Sequence, residues 1–410
     1  MNSNMSPGVP TPRAPKSSKV LWQFGVLYFS EGAPIGFLWW AMPTLLRTDG
    51  VAVERITALT AALVLPWTLK FLWAPVVDAC RGPCWGFRHW AGAAQVGMGL
   101  ALVPLWFIDP ANAFGWWFGL LLTHAVCAAT QDVAIDALAL KAAEASARGK
   151  LTAAMQTGML VGRSAFGGGA ILLAGYAGWP GVFGALVVAV WSALWVLVRM
   201  APEPVLAVVA ESKLRKFGAT LRAGFARRTT WWALGFALLA GAGFEAAGAL
   251  AGPLLVDRGV ATESTGWFFA GPVVIAMAAG GILGGIWADR GVRVSRVALA
   301  AVGVGLTVLG VGLAAMGGVI GTGLMACLAA LYLGIGCFTA ASYALFMDLS
   351  DPKIGATQFS TFMAATNACE AWAVWTGGKL VARFDYGWAL VAMAVGGLLA
   401  LVFLLPLRRK

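Results

Sequence analysis

Apolar residues run along this chain in stretches of about twenty, separated by short polar intervals. The hydrocarbon core of a bilayer takes about 20 residues of α-helix. Lipid offers no partner to an unpaired backbone group, so spans of this length have to be helical. Twelve are predicted, near residues 20–46, 56–77, 90–107, 114–139, 151–175, 180–199, 230–255, 265–288, 297–315, 321–347, 356–380 and 387–407. The longest polar interval, 201–229, separates an N-terminal six-helix bundle (20–200) from a C-terminal one (230–407). Residues 1–19, rich in Pro and Ser, are expected to form a disordered tail, and 408–410 a basic end. In the linker, Leu214, Phe217, Leu221 and Phe225 recur at helical spacing beside Lys213, Arg215, Lys216 and Arg222. That pattern suits an amphipathic helix on the anionic cytoplasmic leaflet; an ordinary solvated linker is the alternative.

Composition agrees. With 60% hydrophobic and 11% charged residues and a mean hydropathy of +0.80, the chain is not a soluble domain, which would be about a quarter charged. The 53 glycines suit closely packed membrane helices. The net charge of +11 has a topological reading. The tail, the even-numbered loops and the C-terminus hold 22 Lys and Arg; the opposite loops hold four, Arg47, Arg55, Arg258 and Arg383. Both termini are therefore expected in the cytoplasm, with the lipid bilayer as partner and no nucleic acid. The six cysteines form no disulfide framework, and Cys80, Cys84 and His89 lack a fourth ligand, so no metal is expected. No nucleotide fingerprint or nucleophile elbow appears, which leaves no catalytic residues, no enzyme and no cofactor.

The halves repeat at an offset of 209–212 residues. Pro43 with Gly50 matches Pro253 with Gly259, Asp78 matches Asp289, and Ala129 with Asp136 matches Ala341 with Asp348. Parallel six-helix repeats build the major facilitator fold, an all-α polytopic membrane protein with its substrate site at the midplane between two pseudo-symmetric halves. The segment Gly285-Ile-Trp-Ala-Asp289-Arg290-Gly-Val-Arg293 resembles that fold's cytoplasmic gating motif, although one residue shorter. Asp78 keeps the acid in the first half without the glycine. The resemblance implies an acidic latch between the halves.

Ionisable groups inside spans cost about 2.5 kcal/mol or more at the bilayer centre and are functional candidates by default. Glu31, Arg163 and Glu245 fall near the midplane, with Glu370, His124 and Gln131 as further polar company. Lys70 matches Asp132 in depth, and Asp136 shares that helix face, so these three are expected to form a buried charge cluster holding helices together. Arg163 is suited to grip a carboxylate or phosphate and Glu31 or Glu245 to carry a proton. Trp39-Trp40, Trp116-Trp117 and Trp231-Trp232 read as interfacial belts; Trp39 and Trp40 are the ones placed to stack on a substrate ring.

The strings Tyr28-Phe-Ser-Glu31-Gly-Ala-Pro34, Pro66-Trp-Thr-Leu-Lys70-Phe-Leu-Trp-Ala-Pro75 and Ala129-Thr-Gln131-Asp132-Val-Ala-Ile-Asp136-Ala resemble the AmpG-type permease group. That group includes muropeptide permeases, RhtX/FptX-type siderophore importers and an acetyl-CoA transporter branch. The resemblance is detailed over the first 175 residues and architectural beyond them. It implies a monomeric, multi-pass protein of the bacterial inner membrane. The expected function is proton-driven import of a polar, anionic small molecule, a siderophore or a muropeptide. Efflux, or assembly of membrane complexes without transport, stand as alternatives.

Overall fold

The computed structural model describes residues 17–80, 85–108, 113–142, 148–200, 222, 226–350 and 355–409. The leading tail and the amphipathic stretch of the linker lie outside the described residues, as does the side chain of Asp78. Nearly all described residues are helical and none lies in a strand. Eight stretches are long and apolar enough to span a membrane on those grounds alone. One of them, Lys150–Val198, holds two of the expected spans and turns at Gly178, whose φ of 61° is a left-handed conformation that suits glycine. Three more helices, too short, broken or polar for that criterion, complete the twelve.

In chain order they are α1 (Ser17–Gly36, Phe37–Ala41, Met42–Thr48), α2 (Val53–Leu69, Lys70–Leu72), α3 (Phe87–Leu102) and α4 (Phe114–Ala142). Next come α5 (Arg148–Phe166, then 168–177), α6 (179–198), α7 (Arg228–Leu239, Ala242–Asp257) and α8 (Thr262–Ala270, Pro272–Ala288). The last four are α9 (Arg293–Met316), α10 (Gly321–Leu349), α11 (Gly355–Arg383) and α12 (Tyr386–Leu399).

Two spans expected to be continuous are interrupted, and both breaks matter to the site. In α1, residues Phe37–Ala41 form a π-helical turn closed by the Met42 N–H on the Phe37 carbonyl. Pro43 follows at once; its ring would crowd the carbonyl four residues back, and the wider turn relieves that. In α2, Lys70–Leu72 tighten into a 3₁₀ turn before Pro75 begins a short helix, Ala74–Ala79.

Helices α1 and α5 meet backbone to backbone. A Cβ at Gly32 would collide with the Met159 carbonyl, one at Gly36 with the Arg163 carbonyl, and one at Gly162 with the Phe29 carbonyl. Such small-residue seams are the usual route to close packing where lipid removes the hydrophobic drive between helices. This seam places Arg163 beside Glu31.

The halves join from the membrane middle to the outer end. Gly168 of α5 lies against the backbone of Gly266 and Ala270 in α8, Gly252 of α7 against Thr44 of α1, and Gly378 of α11 against Thr57 of α2. At the outer end Arg47 pairs with Asp257 at 2.6 Å, and the Tyr386 hydroxyl donates to the same carboxylate at 2.6 Å.

Candidate functional site

Between the halves lies a cavity of about 480 Å³. It runs from Trp40 and Gly248 in the membrane middle down to Lys70, Asp132 and Gln156, near the cytoplasmic ends of α2, α4 and α5. With the halves sealed on the other side, the molecule is inward-facing.

Both π-turn tryptophans reach the wall. The Trp39 indole N–H donates to a Glu370 carboxylate oxygen, a hydrogen bond from α1 to α11 across the two halves. Trp39 also meets Trp67 of α2 edge to face, centroids 5.9 Å apart. Trp40 stacks on Phe269 of α8 at 5.6 Å and meets Tyr332 of α10 edge to face at 6.0 Å. Neither is an interfacial belt residue. The π turn redirects them, which a count of 3.6 residues per turn does not anticipate. The other pairs divide: Trp117 is fully buried against Trp179 and Phe183, whereas Trp116, Trp231 and Trp232 face outward.

The expected midplane charges converge. Glu31, Arg163, Glu245 and Glu370 all line the cavity, and the carboxylates acting on Arg163 are Glu31, Glu370 and Glu245. Arg163 forms no ion pair or hydrogen bond among the described residues, and its Nε is buried without a partner. Glu31, 5% exposed, has one buried carboxylate oxygen unpartnered and faces Asp132, Asp136 and Lys70.

The charge cluster differs from expectation in two ways. Lys70 pairs with Asp132 alone; Asp136, exposed, accepts the Tyr28 hydroxyl instead. Lys70 and Asp132 also line the cavity rather than packing away from it, because the 3₁₀ turn swings Lys70 toward α4. His124 and Gln131 are absent from the wall. His124 is fully buried with Nδ1 at 3.1 Å from the Met98 carbonyl of α3, and Gln131 lies 3.5 Å from Ser30 of α1. Asp132, the next residue, is rotated about 100° and takes the cavity face.

Among the described residues, the ion pairs of the gating motif lie within one half. Arg293 bonds Asp289 at 2.8 Å and Asp348 of α10 at 2.8 Å, all in the C-terminal bundle. The Arg290 carbonyl accepts from Arg296, and Gly285 borders open space. Among the described residues the motif's arginine thus ties the end of α8 to α10. Cavity residues unannounced by charge in a span were Trp67, Gln156, Tyr332 and Asn367. Polar amides in an apolar helix were the available signal.

The family model of the Major Facilitator Superfamily matches residues 24–317. The chain belongs to that superfamily. It is a multi-pass membrane protein with the fold of that superfamily. Within the superfamily its similarity runs to the AmpG-type group. It is 27% identical over 209 residues to the anhydromuropeptide permease of Escherichia coli (strain K12), a match covering 50% of this chain and 42% of that one. This chain thus spans under half the length of that relative. An uncharacterized protein of Haemophilus influenzae is 26% identical over 406 residues, covering 93% of each chain. The crystal structure of a D-xylose-proton symporter superposes with a TM-score of 0.74 at 14% identity, over 95% of this chain and 97% of that one. That likeness concerns the fold.

Proposed function

We propose that this transporter imports a polar, anionic solute across a bacterial inner membrane, driven by protons. Muropeptide-type sugar-peptides are favoured over siderophores. The observation that carries the reading is Arg163, a guanidinium set on the cavity wall with no ion-pair partner among the described residues. A buried charge left unpaired is costly, so its retention suits a partner that comes and goes. A guanidinium grips a carboxylate through two parallel hydrogen bonds.

Glu31 is the coupling group in this reading. It lies on the same seam as Arg163 and carries a buried oxygen without a partner. Deprotonated, it competes with the solute for Arg163; protonated, it releases the guanidinium to bind. The muropeptide preference comes from similarity to the anhydromuropeptide permease.

The experiment is uptake of an anhydromuropeptide into proteoliposomes, with and without an imposed pH gradient. Wild type should concentrate the solute only with the gradient. Glu31→Gln should still exchange it across the membrane but fail to concentrate it. Gradient-driven accumulation by Glu31→Gln removes Glu31 from the coupling role and makes Glu245 the next residue to test.

A further inference from the structure

The polar groups on the cavity wall divide into committed and uncommitted. Lys70 is held by Asp132, and Glu370 accepts from Trp39. Glu31 faces the Lys70–Asp132 pair. Among the charged and amide side chains of the wall, five have no hydrogen bond or ion pair among the described residues: Glu31 on α1, Gln156 and Arg163 on α5, Glu245 on α7 and Asn367 on α11. With Glu31 given to the proton in the reading above, one cation, one anion and two amides are left for the solute. The cation belongs to the N-terminal half and the anion to the C-terminal half.

A purely anionic solute is poorly matched to that set. Gripped by Arg163, it brings its charge close to Glu245, with Glu370 beside it, and like charges at close range repel. A solute bearing an ammonium as well removes that repulsion and gives Glu245 the partner it lacks. An amide-bearing backbone between the two charges meets Asn367 and Gln156, each able to donate and accept. About 480 Å³ holds such a molecule at several hundred daltons.

Resting on the import reading above, we propose that the solute is a zwitterion of peptide character. Its carboxylate sits on Arg163, its ammonium on Glu245, and its amide groups on Asn367 and Gln156. Glu245 is then a specificity residue that reads the amine. Because Arg163 and Glu245 stand on opposite halves, a solute with both poles bridges them, whereas one with a single pole engages one half.

The test is calorimetric binding to the purified full-length protein with two matched probe pairs. One pair is an anhydromuropeptide with a free amine in its peptide stem and the same molecule acetylated on that amine. The other is trialanine and N-acetyltrialanine. For wild type, acetylation should weaken binding at least about tenfold, the worth of one charge-assisted hydrogen bond. Glu245→Gln, nearly the same size, should bind both members of a pair alike and bind the acetylated one at least as tightly as wild type does, which also shows that it is folded. The proposal is overturned if wild type binds both members equally, if Glu245→Gln still discriminates, or if no free-amine probe binds. Proton-driven uptake blind to acetylation sinks this inference and leaves the import reading standing. Discrimination without proton-driven uptake does the reverse.

Discussion

Trp39 donates its indole N–H to the carboxylate of Glu370, so a side chain of α1 is tied to one of α11 across the boundary between the halves. The bond exists because the π turn before Pro43 turns Trp39 into the cavity. It has to break or lengthen whenever the halves separate on this level. Trp39→Phe keeps the ring against Trp67 and removes the donor. Folded yield should stay close to wild type, while transport falls several-fold, and Glu370→Gln should fall similarly. Unchanged uptake in Trp39→Phe proteoliposomes would show that the bond is dispensable to the cycle.

Lys70 and Asp132 form a partly buried ion pair on the cavity wall. Removing one partner strands the other, at a cost of about 3–5 kcal/mol for a fully buried pair and less here. Lys70→Ala and Asp132→Ala should each lower the melting temperature. The double variant should recover part of the loss. A double-mutant cycle with no coupling energy would argue against direct pairing.

Arg163→Lys keeps the charge and loses the planar fork. Solute binding should weaken by about 1.5–3 kcal/mol, roughly ten- to hundredfold, with the oligomeric profile in detergent unchanged. Equal affinity, measured by calorimetry, would take the carboxylate away from Arg163.

At Gly36 a Cβ would press on the Arg163 carbonyl. Gly36→Ala should therefore cost about 1–3 kcal/mol by overpacking and push α1 from α5. The readout is thermal unfolding in detergent. A control Gly396→Ala, where a Cβ meets nothing, should lose far less.

The Arg47–Asp257 pair, with Tyr386 on the same carboxylate, closes the outer end. Partly exposed, it contributes about 1 kcal/mol or less. Arg47→Ala should thus shift the population toward outward-open states by up to about fivefold. Labelling of a cysteine introduced at Thr44 by a membrane-impermeant reagent should rise; no rise would place the seal elsewhere.

Much of the site was legible in the chain. Glu31, Arg163, Glu245 and Glu370 stood out because a charge in a spanning helix is expensive enough to need a reason, and all four meet in one cavity. Lys70 and Asp132 were paired on depth alone, which follows from a fixed rise per residue. His124 and Gln131 were equally visible as polar residues and fail to reach the cavity, since polarity tells nothing of which way a helix face turns.

What the sequence by itself determined is the number of helices, their sidedness and the depth of each charge. These follow from quantities local to each segment: apolar length against bilayer thickness, the count of Lys and Arg in each loop, and 1.5 Å per residue. The tertiary structure decided which faces meet. The π turn at Phe37–Ala41 and the 3₁₀ turn at Lys70–Leu72 set the azimuth of Trp39 and Lys70, and the Gly32, Gly36 and Gly162 seam set how near α1 comes to α5. It also decided that the gating-motif arginine, Arg293, pairs with Asp289 and Asp348 of its own half. Rotation about a helix axis depends on packing against neighbours distant in sequence, and in lipid no solvent-facing side exists to reveal it beforehand.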